Sequence, residues 1–185
     1  DPQTGALIRN QFPEDLFVSN NLDLHYKYKV RGEKWGCIRT DVLRERPNKE
    51  VKGSYLSESW IWFYIARKYK VLCVNEALRN YFTDHEISLS KPKKNDKIRS
   101  RYSSYAYLSW HLSANIDYIL KYESIKSISK KFIQLWAFGF LSERKIHEIL
   151  FDLESRFVRV LSVAFIIPGF FYFIRINNKT KSSDA

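Results

Sequence analysis

Apolar positions along this chain change their spacing near its middle. Through residue 24 the text is broken by turn signals such as Asp1-Pro2, Thr4-Gly5, Phe12-Pro13 and Ser19-Asn20-Asn21. These leave room for short extended pieces around Ala6–Ile8 and loops elsewhere. Basic and ring residues alternate from His25 to Val30, which predicts an edge strand. Trp35–Ile38 is a short apolar run. Thr40 then caps a short helix through Arg44, stopped by Pro47, and 47–55 is a polar loop. Ser57 caps a helix running to about Tyr69, with Trp60, Ile61, Tyr64 and Ile65 on one face and Arg67, Lys68 and Lys70 at its C-terminal end, where the helix dipole favours cations. Lys70–Asn75 reads as a strand carrying Val71, Leu72, Cys73 and Val74, and 77–82 as a further extended stretch.

Beyond Ser90 the pattern turns helical. Tyr102, Tyr105, Leu108 and Leu112 recur at helical spacing in a helix expected from about Asn95 to Leu120. A second helix is predicted over Ile125–Phe140 and a third over Glu143–Ile167. From Val160 to Ile174 no residue is charged, and the run is broken at Pro168-Gly169. Such a run rises roughly 22 Å as a helix, short of the ~30 Å hydrocarbon core of a bilayer. With Arg156, Arg159 and Arg175 on its flanks, it suits either a helix lying at a membrane surface or a hydrophobic helix closing the core.

Composition narrows the partners. The 185 residues suffice for one domain with a sizeable core, and 45% apolar content excludes a disordered segment. Aromatics at 16% mean that large rings supply much of the buried area. A net charge of +11 favours anionic partners, whether nucleic acid, phospholipid head groups or a diphosphate. Cys37 and Cys73 have neither metal-knuckle nor redox-pair spacing, and Cys73, in an apolar run, reads as a buried thiol in a reducing setting. The cluster Lys91, Lys93, Lys94, Lys97, Arg99 and Arg101 could neutralise a diphosphate, face anionic lipid or be a solvated helix start. Its Tyr102 and Tyr105 fit a helix core better than a nucleic-acid groove, so nucleic acid is not the expected partner.

Chemistry concentrates between Gly32 and Ser90. Glu58 stands at a predicted helix mouth, where the dipole keeps a carboxylate ionised and able to accept a proton. Read by itself, Ser57-Glu58 is first of all an ordinary capped helix start with a favourable first-turn acid. Gly32 permits a tight turn or close ligand approach, and Trp35 offers a ring face to a sugar. His85 is a lone loop histidine, and His25, His111 and His147 are scattered too widely to form a ligand set.

Taken in order, Gly32-Glu33-Lys34-Trp35, Leu56-Ser57-Glu58-Ser59-Trp60, Val74-Asn75-Glu76-Ala77-Leu78-Arg79-Asn80-Tyr81 and His85-Glu86-Ile87-Ser88-Leu89-Ser90 resemble the acceptor-side half of an inverting, nucleotide-sugar-dependent glycosyltransferase of the family 2 type. The resemblance covers roughly the first half of the chain. It implies an α+β fold: the C-terminal part of a Rossmann-like GT-A glycosyltransferase domain over 1–90, followed by a helical extension over 91–185. It implies that Glu58 is the catalytic base, since Ser59 stands where the commoner pattern has aspartate. By the same resemblance, Gly32, Glu33, Lys34, Trp35, Arg39 and Trp60 bind substrate, and His85 approaches the metal or the diphosphate. Phe82 replaces the arginine usual after the tyrosine. A nucleotide-sugar donor and a glycan acceptor follow, with a divalent metal, Mg or Mn, in the complete enzyme. The donor-binding half with its Asp-x-Asp motif is expected before Asp1, which makes this chain a fragment without activity alone. The expected setting is cytoplasmic, peripheral to the inner face of the cell membrane, in bacterial-type surface polysaccharide synthesis. The alternative from another class is a non-enzymatic basic helical module binding a membrane surface or nucleic acid.

Overall fold

The computed structural model describes residues 10–32, 34–45, 58–78 and 97–181. These are mostly helical, with one small antiparallel sheet, so the chain is broadly α+β. It divides into two compact units, Asp1–Lys49 with Glu58–Lys91 and Glu50–Ser57 with Pro92–Ala185.

In the first unit, β1 (Phe17–Ser19) pairs with β2 (Val71–Cys73), Phe17 opposite Cys73 and Ser19 opposite Val71. Leu16, in the left-handed region at φ 51°, turns the chain into β1. The approach to the sheet is tied by Asn75. Its amide oxygen accepts from the Phe12 N–H at 2.9 Å, its amide nitrogen donates to the Phe12 carbonyl at 3.1 Å, and its own N–H donates to Asp15 at 2.8 Å. Helix α1 (Asn21–Tyr26) follows, capped by the Asn20 side chain accepting from the Asp23 N–H at 2.8 Å. The edge strand expected over His25–Val30 is therefore not what forms. His25 and Tyr26 close α1, and the chain then turns through Lys29 at φ 55°. The alternation of basic and ring residues there marks a helix end and a turn, and the Asn20…Asp23 capping pair overrides it.

Helix α2 (Thr40–Arg44) forms where expected, although Arg39 rather than Thr40 occupies the N-cap. Helix α3 (Ser59–Ala66) buries Trp60, Ile61, Phe63, Ile65 and Ala66. It packs on α1, with Phe63 against the rings of His25 at 5.3 Å and Tyr26 at 6.1 Å. Leu22, Leu24 and Val42 are buried in the same unit, and Cys73 is the buried thiol that its apolar run predicted. Glu58 rather than the expected Ser57 occupies the N-cap of α3. The extended piece expected at Ala6–Ile8, most of the 77–82 stretch and the 47–55 loop lie outside the described residues.

The second unit is helical. Helix α4 (Lys97–Tyr122) is kinked at Asn115, whose φ of −128° and ψ of 19° leave the helical region. Helix α5 (Ile125–Leu141) begins at a Ser124 cap and ends in a Schellman motif. There Glu143, at φ 59°, donates its N–H to the Phe140 carbonyl, and Arg144 donates to that of Gly139, both at 3.0 Å. The single helix expected over Glu143–Ile167 is instead three: α6 (Ile146–Phe151), α7 (Arg156–Val163) and the start of α8 (Ile166–Lys181). Ser155 caps α7, and Asp152–Glu154 interrupt the run. The break expected at Pro168-Gly169 falls earlier, at Ala164-Phe165. Pro168 sits in the first turn of α8, where a missing N–H costs nothing.

Helix α5 is the centre of this unit, packed along α4 and α8. Phe132, Leu135, Trp136 and Ala137 are fully buried. The Trp136 indole N–H donates to the Ser162 carbonyl at 2.7 Å, which pins the α7–α8 corner to α5. Phe132 stacks on Phe165 at 5.2 Å, and Phe140 meets Phe170 and Phe173.

Candidate functional site

Glu58 occupies the N-cap of α3 with φ −55° and ψ −16°. Its backbone carbonyl accepts from the N–H of Ile61 at 2.9 Å and of Trp62 at 3.2 Å, so the main chain carrying it is held by the first turn. Its side chain makes no capping bond and is exposed. What fixes the helix is the next residue onward: Trp60, 6% exposed, starts the face that packs into the unit. The two parts of the Glu-Ser-Trp triplet thus do opposite things, one left in water and one anchored.

Gly32 has φ 89°, a conformation that L side chains rarely adopt, so the tight turn expected of it is present. Lys34, in the same turn, donates to the Asn10 carbonyl at 2.7 Å and to that of Arg31 at 3.4 Å, and its ammonium lies 5.7 Å from the Phe12 ring centre. Trp35 follows with 54% of its surface open, unusual for so large a ring. Arg39 forks onto Asp41 through Nε at 3.1 Å and Nη2 at 2.6 Å. That bond raises the Arg39 pKa and lowers that of Asp41. Both groups are open to solvent, so the pair orients the arginine more than it stabilises the fold. Glu33 and His85 lie outside the described residues. Gly32, Lys34, Trp35, Arg39, Glu58 and Trp60 all belong to the first unit.

The far end of α3 is tied to α2 by a charge cluster. Glu45 accepts from Lys68 at 2.8 Å and from the Tyr69 hydroxyl, and Lys68 lies 4.8 Å from the Tyr64 ring centre. These hydrogen bonds, from Lys68 first and Tyr69 second, hold the Glu45 carboxyl below its ordinary range. The same contacts raise Lys68 and Tyr69.

Two arrangements escaped the sequence. Asn75, part of the Val-Asn-Glu-Ala-Leu run, secures the main chain at Phe12 and Asp15, a role that only a long-range contact reveals. His111, too far from the other histidines in sequence to suggest a ligand set, has a structural place. It is buried in the second unit, stacked on Tyr107 at 4.9 Å with the Tyr107 hydroxyl 3.3 Å from Nδ1, one turn before the kink at Asn115. Among the described residues no three His, Cys, Asp or Glu side chains gather as a metal ion would require.

No protein-family model matches the chain, and no match was found among curated proteins or solved structures.

Proposed function

We propose that this chain supplies the acceptor side and the catalytic base of an inverting glycosyltransferase that moves a sugar from a nucleotide donor onto a surface glycan. In this reading the first unit is part of a Rossmann-like GT-A domain, and the helical unit is its extension. The observation that carries the proposal is Glu58: an exposed carboxylate fixed at the start of α3 by a helix whose following tryptophan is buried. It stands within the ordered motif series from Gly32 to Ser90, and the same unit bears the open ring of Trp35.

Glu58 takes the proton from an acceptor hydroxyl as that oxygen bonds to the anomeric carbon. The bond from that carbon to the diphosphate breaks on the opposite face, and the nucleoside diphosphate leaves with the electron pair, inverting the centre. Trp35 stacks on the acceptor ring, and Arg39, held by Asp41, faces the substrate side. A divalent metal ion, when bound in the complete enzyme, stabilises the leaving diphosphate. In this reading the chain works in the cytoplasm, at the inner face of the cell membrane.

The test uses the enzyme in which this chain is joined to a donor-binding half. Glu58→Gln keeps the shape of the side chain and removes its basicity. It is expected to lower kcat by about 10²–10⁴ with donor affinity and melting temperature unchanged. Trp35→Ala is expected to raise the acceptor KM about tenfold with kcat nearly constant, the signature of lost ground-state binding. A Glu58→Gln enzyme that turns over at the wild-type rate refutes the proposal.

A further inference from the structure

Surface helices normally turn polar residues outward, and α7 and α8 do not. Along α7, Phe157, Val160 and Val163 are exposed, and along α8 so are Ile167, Phe171 and Ile174. Val160 keeps 75% of its surface open and Ile167 69%. The spacing 167, 171, 174 puts a continuous apolar stripe on the outer side of α8, with the half-open Phe170 at its edge against Phe140. The opposite side is already committed: Gly169 is buried against Trp136, and Phe173 meets Phe140. The outer stripe is therefore not a misassigned core face.

Charge says what covers it. Between Ser155 and Lys181 the chain carries Arg156, Arg159, Arg175, Lys179 and Lys181 and no aspartate or glutamate. Arg156, the first residue of α7, and Arg175, just past the stripe on α8, are both exposed. In a two-fold contact with a second copy the patch would meet itself, cation against cation with no acid between. An anionic bilayer offers what the patch lacks: acyl chains for the stripe and phosphates for its rim. Length then sets the mode. Helix α7 has 8 residues and α8 has 16, about 12 Å and 24 Å, and neither reaches the ~30 Å of a hydrocarbon core. Among the described residues no single helix is long and apolar enough to cross; α7 and Ile166–Asn178 of α8 reach that length and apolarity only together, and a 70° bend at the break between them denies the pair a straight path.

We infer that α7 and α8 form an in-plane docking surface for anionic phospholipid, entering one leaflet without spanning it. This goes beyond the sugar-transfer reading and does not depend on it.

The test is flotation of the intact chain with vesicles of phosphatidylcholine alone or mixed with phosphatidylglycerol, with sedimentation velocity in parallel. The expected result is co-flotation with the mixed vesicles only, weakened by salt, from a chain that is monomeric without lipid. Ile167→Glu/Phe171→Glu, both on the exposed face, should abolish flotation while the circular dichroism and melting curve stay those of the wild type. Arg156→Ala/Arg175→Ala keeps the apolar stripe and should weaken binding about fivefold for each cation removed. Equal flotation with neutral vesicles overturns the inference, as does wild-type flotation of the Ile167→Glu/Phe171→Glu chain. A dimer that this double substitution splits would overturn it in favour of a second copy.

Discussion

Gly169 decides how closely α8 lies on α5. A methyl group added there would sit 2.3 Å from the Trp136 Cβ and 3.3 Å from the Ile133 carbonyl, and neither atom is the far end of a flexible side chain. Gly169→Ala must therefore push the helices apart, at an expected cost of about 1–3 kcal/mol, read by urea unfolding. Gly139 is the contrast: there the nearest atom is the Cδ1 end of Ile149, which can rotate away, so Gly139→Ala should cost less. In the other unit, Asn75→Ala strips the partners from the Phe12 amide and carbonyl. It should destabilise by about 1–3 kcal/mol in the same assay. At this scale the sequence was partly legible. The turn at Gly32 and the buried thiol of Cys73 follow from residue type and neighbours. The partners of Asn75 and Gly169 lie far away in the chain, and no local pattern encodes them.

Elements were legible where apolar runs stood between clear breaks, as for α2, β2 and α5. They were misread where a local signal was outvoted. Asn20 and Asp23 start a helix that the alternating text after it disguised, and Asp152–Ser155 cut what periodicity alone joined from Glu143 to Ile167. Strand β1 could not be found locally, because its partner β2 comes more than 50 residues later. The kink in α4 likewise depends on the buried Asn115 and not on proline or glycine. One element carries a correctable cost. Glu143 closes α5 in the left-handed region, which disfavours any residue with a Cβ. Glu143→Gly should therefore raise stability by roughly 0.5–1 kcal/mol, seen as a higher denaturant midpoint at unchanged slope.

Across the whole molecule, stability should be bounded on both sides of neutrality. Burial first, and then its hydrogen bond to Asp152 at 2.7 Å, push the Tyr105 hydroxyl well above its ordinary value of 10.0. Tyrosinate is thus disfavoured in the folded chain. The stabilisation is complete below pH 10 and is lost as the pH rises beyond it. On the acid side, burial raises the Glu123 carboxyl, but bonds from Lys131 and Ser127, each 2.6 Å, more than offset this and lower it overall. Glu45 is lowered by Lys68 and Tyr69. Both contributions are present above the ordinary carboxylate value of 4.5 and fade as the pH falls through the lowered values. The melting temperature should accordingly be flat near neutrality and fall at both extremes. Tyr105→Phe should blunt the alkaline fall, and Glu123→Gln part of the acid one.

The proposed function rests on a narrower point, that the Glu58 carboxylate would remove the acceptor proton. Single-turnover transfer by the complete enzyme, with donor and acceptor saturating, isolates that step from binding and release. Glu58→Gln should slow it at least about a hundredfold, and Glu58→Asp, a shorter base, should recover part of the rate. A Glu58→Gln enzyme whose single-turnover rate equals that of the wild type would contradict the account.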